Sequence, residues 1–115
     1  MIIVTATIEY ANRAARDGAV EAGSGYQQAT RDDEPGCVAY CFAADPCSET
    51  RVQVYEAWED GPSLALHLKH ENYFNMRDTL GKFEMVSAES AAHNVSESTT
   101  VYDETGVPRT EFFGQ

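Results

Sequence analysis

The period of the apolar residues switches back and forth along this chain, and that order of switches constrains the fold more than any other feature. Residues 2–10 alternate. Ile2, Val4, Ala6, Ile8 and Tyr10 take one side, and Ile3, Thr5, Thr7 and Glu9 the other, which predicts a strand with one strongly apolar face. From Ala11 to about Asp32 the spacing becomes helical, through Ala11, Ala14, Ala15, Gly18, Ala22, Gly25, Tyr26 and Ala29. This stripe of small residues allows close packing, with Gly23-Ser24-Gly25 as the natural place for an interruption. Pro35-Gly36 stops the helix. Residues 37–44 predict a second strand, with Val38, Tyr40 and Phe42 opposite Cys37, Ala39 and Cys41. A hairpin loop over Asp45–Glu49 leads to a third strand at 51–59, with Val52, Val54, Glu56 and Trp58 on one side and Gln53, Tyr55 and Ala57 on the other.

Asp60-Gly61-Pro62 opens the next helix: Asp60 can accept from free backbone N–H groups, and Pro62 suits a first turn. Leu64, His67 and Leu68 share one face of it. Asn72, Tyr73, Phe74, Met76 and Leu80 form a second helical piece ending near Gly81. Residues 82–91 fit helix or loop. A fourth strand is expected from about Ala92 to Tyr102, followed by an irregular tail whose Phe112-Phe113 pair suits docking on a partner subunit. No repeat or linker divides the chain, so residues 1–115 are expected to be one domain. The order β-α-β-β-α-β is the split βαβ, ferredoxin-like pattern: an α+β fold with helices on one face of an antiparallel four-stranded sheet. The other face then needs cover, and a homodimer packed sheet to sheet supplies it.

Charge narrows the function. Eight Lys and Arg stand against nineteen Asp and Glu, a formal charge of −11. Such a chain lacks the clustered cations that nucleic acid or an anionic membrane surface requires. The acidic residues gather in turns and helix ends, at Asp32 to Glu34, Glu59-Asp60 and Asp103-Glu104, and read as a solubilising shell. Cys37, Cys41 and Cys47 are odd in number, and the start of the chain has no secretory pattern, so a cytoplasmic protein with reduced thiols is expected. On one strand, Cys37 and Cys41 stand roughly 13 Å apart, too far for a disulfide. They read as small buried residues, and no cysteine pairing suggests zinc.

Glu34-Pro35-Gly36-Cys37-Val38-Ala39-Tyr40, then Val54-Tyr55-Glu56-Ala57-Trp58-Glu59, then Leu64-x-x-His67-Leu68, resemble the antibiotic biosynthesis monooxygenase (ABM) domain over about residues 2–80. The resemblance implies a dimeric α/β barrel. It also implies kinship with cofactor-independent oxygenases of phenols and quinols and with haem-degrading relatives. The chain departs from the family in having Asn72 before Tyr73 where a histidine often precedes an aromatic. The haem-degrading branch relies on a first-strand Asn, a Trp and a histidine haem ligand; the matching places here hold Thr5 or a neighbour, His67 and Arg77. Haem degradation is therefore not the expected branch.

A cofactor-free oxygenase needs an apolar cavity, a base that favours the phenolate, and dry surroundings. His67 is the candidate catalytic base, because it lies on an apolar stripe and titrates near neutral pH. Trp58, Tyr40, Tyr55, Asn72 and Tyr73 are the candidate substrate-binding residues, by stacking or hydrogen bonding. Glu56 could pair with Arg77 or accept from His67, and His70 and His93 read as surface residues. No metal is expected, since His67, His70 and Glu71 lack a converging third ligand; the resemblance implies no bound cofactor, with O2 as co-substrate. Two competing readings stay open on this fold: an accessory protein that binds a small molecule without turnover, and an isomerase or cyclase that uses the same histidine for proton transfer.

Overall fold

A computed structural model describes residues 1–114. Strand β1 (Ile2–Tyr10) leads to helix α1 (Arg13–Asp33), strands β2 (Cys37–Ala44) and β3 (Arg51–Trp58), helices α2 (Gly61–His67) and α3 (Glu71–Leu80), and strand β4 (Met85–Asn94). The sheet is antiparallel with order β2-β3-β1-β4. This is the β-α-β-β-α-β fold that the period switches predict.

Local chemistry explains most boundaries. Asn12 caps α1 by accepting from the Ala15 N–H, and Asp60 caps α2 by accepting from the Ser63 N–H with Pro62 in the first turn. His70 was expected on the surface; it instead caps α3, with Nδ1 accepting from the Asn72 N–H. Helix α1 runs unbroken through Gly23-Ser24-Gly25. The buried face of α1 is Arg16, Ala19, Gly23 and Thr30 and not the predicted stripe, of which Ala11, Ala14, Ala22 and Gly25 are exposed. Against α3, Gly23 brings the helix so close that a Cβ would meet Met76 Cε at 2.9 Å. Burial against this neighbour offsets the helix-weakening glycines.

The alternation on β1 and β3 holds. Ile8, Tyr10, Val52, Val54 and Trp58 enter one core with Tyr40, Phe42, Met76 and Leu80. On β2 the expected faces hold from Ala39 onward but not before it. The register shifts between Cys37 and Ala39, leaving Val38 unpaired. This bulge turns Val38 out to solvent and Cys37 onto the core. Cys41 and Cys47 are exposed, contrary to the expectation of buried thiols.

The fourth strand begins earlier than expected, at Met85 instead of about Ala92, and pairs along all of β1, from Ile2 opposite Asn94 to Tyr10 opposite Met85. Residues 95–114 carry no named strand, but they are not shapeless: Tyr102 bridges Pro108, with a turn at Gly106 in which Asp103 Oδ1 accepts from the Thr105 and Val107 N–H groups. Every residue of β4 is exposed. Helix α1 packs on the β2 side and α3 packs on α1, so the inner face of β1 and β4 stays open. Among the described residues, no helix is long and apolar enough to cross a membrane, and no group of His, Cys, Asp or Glu could hold a metal ion.

Candidate functional site

That uncovered strip of sheet is the floor of a cleft of about 450 Å³, a volume usual for small-molecule sites. Val4, Ala6 and Ile8 of β1, with Val54 of β3 and the alanines of β4, make the floor apolar. Leu64, His67 and Leu68 of α2 and Tyr73, Met76 and Arg77 of α3 form the wall. Arg77 sits at the rim, its guanidinium 5.8 Å from the Tyr73 ring centroid and 5.2 Å from that of Phe74. Three polar groups, Tyr40, Glu56 and His67, reach this lining from the core.

His67 is only 2% exposed and is clamped on all sides. Trp58 stacks on it at 4.5 Å with the rings 33° apart, while Tyr40 and Tyr73 present edges at 5.3 and 5.6 Å. Its Nδ1 lies 2.9 Å from Glu34 Oε1. A carboxylate can only accept, so Nδ1 carries the proton and Nε2 keeps its lone pair. The second oxygen of Glu34 accepts from Asn72 Nδ2 at 3.4 Å. Burial lowers the His67 pKa, opposed by the bond to Glu34 and its charge. His67 is thus a neutral imidazole held through Nδ1, and among the described residues no group bonds its Nε2.

Glu56, in the middle of β3, is 8% exposed. It pairs neither with Arg77 nor with His67, the two partners expected; its Oε1 accepts from Trp58 Nε1 at 3.0 Å. Burial pushes its pKa up to about 7, further raised by the Glu34 charge and opposed by the Trp58 bond. Burial likewise holds the Tyr40 phenol well above its ordinary range.

The expected site residues therefore divide. His67, Tyr40 and Tyr73 meet in the cleft wall. Trp58 is fully buried behind His67, stacks on its ring and does not line the cleft, where a stacking residue was expected. Asn72 is likewise buried, held to Glu34 and Asp33. Tyr55 is a plain miss. It lies on the opposite face of the sheet, half exposed, because its neighbours Val54 and Glu56 point inward.

Glu34 is the functional residue that sequence reasoning missed. It was counted among the solvated acids of a turn, yet it is 7% exposed and holds the histidine. The signal was present: a glutamate between a helix end and Pro-Gly, quoted in the motif but assigned no partner.

Comparison with known proteins agrees with this fold. Residues 1–79 match the family described as antibiotic biosynthesis monooxygenase. A Deinococcus radiodurans structure, named as a candidate antibiotic biosynthesis monooxygenase, is 19% identical with a TM-score of 0.78, covering 90% of this chain and 100% of its own. A similarly named Caulobacter crescentus structure is 14% identical with a TM-score of 0.73, covering 84% and 91%. A Bacteroides thetaiotaomicron protein of unknown function, a possible oxidoreductase, is 21% identical with a TM-score of 0.66, covering 80% and 92%. At these identities the likeness is one of fold. No curated protein matches the sequence.

Proposed function

Because the chain belongs to the antibiotic biosynthesis monooxygenase family, we propose that it oxidises a small phenolic or quinol-type aromatic with O2 and without a bound cofactor, His67 serving as base. The observation that carries this reading is the Glu34–His67 pair set in the wall of an apolar cleft. Glu34 keeps Nδ1 protonated, so Nε2 can take the phenolic proton. The phenolate gives one electron to O2, and the phenoxyl radical, through a ring carbon that carries spin, recombines with superoxide to form a C–O bond. The proton on Nε2 passes to the peroxide. Loss of the ring C–H proton and cleavage of the O–O bond then leave a carbonyl and water. Phenol plus O2 becomes quinone plus water, with the substrate supplying all the electrons. Apolar walls disfavour the escape of superoxide into water and so hold the radical pair together until it recombines.

The second part of the proposal is a homodimer. The uncovered sheet, the exposed β4 and the open side of the cleft are supports for it.

O2 uptake over a panel of phenols, quinols and anthrones tests the reaction. Wild type is expected to consume one O2 per product, and His67→Ala to lose about 100-fold or more in rate, the usual range for a removed general base. Equal uptake by both proteins removes His67 from the mechanism. Turnover that continues without O2 replaces the oxygenase with a proton-transfer isomerase or cyclase.

A further inference from the structure

Glu56 has no task in the reaction above, yet it is the carboxyl group on the cleft floor that one would least expect there. A buried acid on the inner face of a central strand is costly unless something uses it. Its Oε1 is committed to Trp58 Nε1. No described side chain bonds its other oxygen, and the residue lines the cleft. Val4 faces it from β1 and Tyr40 from β2 in the sheet register. Among the described residues, no group accepts from the Tyr40 phenol.

We propose that Glu56 is a substrate-binding acid: its Oε2–H donates a hydrogen bond to a carbonyl oxygen of the bound aromatic, selecting a ligand that carries a ketone or quinone oxygen in addition to its hydroxyl. The inference rests on the cleft being the substrate site and adds a second recognition point on its floor, distinct from the His67 wall.

The chemistry follows from the surroundings. The titratable and charged groups around Glu56 are Cys37 and Tyr40 of β2, Glu34 at the end of α1, His67 of α2, Tyr73 and Arg77 of α3, and Glu89 of β4. Arg77, the cation among them, is largely exposed and turned onto Asp78. The Trp58 bond only partly offsets the burial of a negative charge on Glu56, so the carboxyl stays protonated up to about neutrality. In that state it donates; once ionised it repels a carbonyl oxygen.

Trp58, the single tryptophan of the chain, reports on Glu56 directly through their hydrogen bond. The probes are 1-naphthol, with a hydroxyl only, and 5-hydroxy-1,4-naphthoquinone, with hydroxyl and carbonyls, titrated without O2 against Trp58 emission. Glu56→Gln keeps both an acceptor for Trp58 and an N–H donor for the cleft; Glu56→Leu keeps neither. Quinone affinity is expected to fall tenfold or more in Glu56→Leu and less than threefold in Glu56→Gln, with naphthol affinity alike in all three proteins. In wild type, quinone affinity and Trp58 emission should both change with a midpoint near pH 7. In Glu56→Gln that transition should vanish, leaving only the acidic titration of His67. Parallel loss of both probes in Glu56→Leu, a pH transition that survives in Glu56→Gln, or no quinone binding by wild type overturns the proposal. Because Glu56→Gln and the pH titration need no Glu56→Leu protein, misfolding of that variant does not shelter it. Absence of O2 uptake alongside normal probe discrimination would sink the oxygenase reading and leave the Glu56 assignment standing.

Discussion

Two buried titratable groups, Glu56 and His67, behave differently under titration, and each yields a prediction at the level of one side chain. The folded-state pKa of Glu56 is raised from 4.5 to about 7, so the folded protein binds the extra proton across that window. Stability from this source is complete below pH 4.5 and declines as pH rises through 7. The 2.5-unit shift corresponds to an order of 3 kcal/mol. His67 runs the other way: its pKa is lowered, so it withdraws stability only as pH falls below 6.5. Glu56→Gln should therefore melt roughly 10 °C above wild type at pH 8 and converge with it near pH 4.5; parallel melting curves across this range would refute the raised pKa. Glu34 raises the pKa of His67 by bond and charge, so in Glu34→Gln the histidine should titrate lower still by NMR. Glu34→Ala strands a buried Nδ1–H and should cost about 1–3 kcal/mol. An unchanged His67 titration in Glu34→Gln would mean that the pair does not form in solution. At this scale the sequence exposes His67 by its place on an apolar stripe. It hides Glu34, whose partner is 33 residues away, because helical and strand periods describe only neighbours along one element.

Elements were legible where pattern and tertiary packing agree, and illegible where packing overrides pattern. Strands β1 and β3 alternate cleanly and were read within a residue of their observed ends. Met85–Ala91 is small and polar with weak strand propensity, and forms a strand because β1 offers it a full antiparallel edge. The bulge at Val38 likewise has no signature in an alternating run. The glycines of the connections show how tightly one element fixes another. Gly36 abuts the side chain of Ser63 in the first turn of α2, with Ser63 Cα 3.6 Å from where a Cβ would stand. Gly36→Ala must push α2 away, and α2 carries His67. We expect a loss of about 1–3 kcal/mol together with a fall in turnover. Gly25, by contrast, has nothing within 4 Å, so Gly25→Ala should stabilise α1 by up to about 1 kcal/mol. Chemical denaturation distinguishes the two; equal effects would show that α2 is not seated on Gly36.

The whole molecule has more surface than a closed chain of its size. Its accessible area is 7363 Å², against about 6,200 Å² expected for a compact 12.7 kDa monomer. Its radius of gyration is 16.1 Å, where a compact domain of this length has about 13 Å. Six of the exposed large apolar side chains lie at β4 and beyond it: Met85, Val86, Val101, Tyr102, Val107 and Phe113. After Asn94, the backbone bonds the body through the Val95 N–H to the Met1 carbonyl, and the remaining tail bonds are internal. An excess of roughly 1,000 Å² is of the size that one partner buries in a stable pair. The charge of −11 opposes association between like copies, and residues 85–115 carry five acids against the one Arg109, but apolar burial outweighs screened surface charge. A second copy seated along β4 and the tail would also wall the open side of the cleft, which links assembly to a dry site. Light scattering at micromolar concentration should therefore give twice 12.7 kDa, and deletion of residues 95–115 should shift the protein to monomer. Because the deleted segment gives the body so little, its melting temperature should drop only by the loss of the dimer, so that it becomes independent of concentration where wild type is not. A full-length monomer would overturn the dimer. A truncated protein that stays dimeric would move the contact to the opposite face of the sheet, around Tyr55, and leave the cleft open in the assembled molecule.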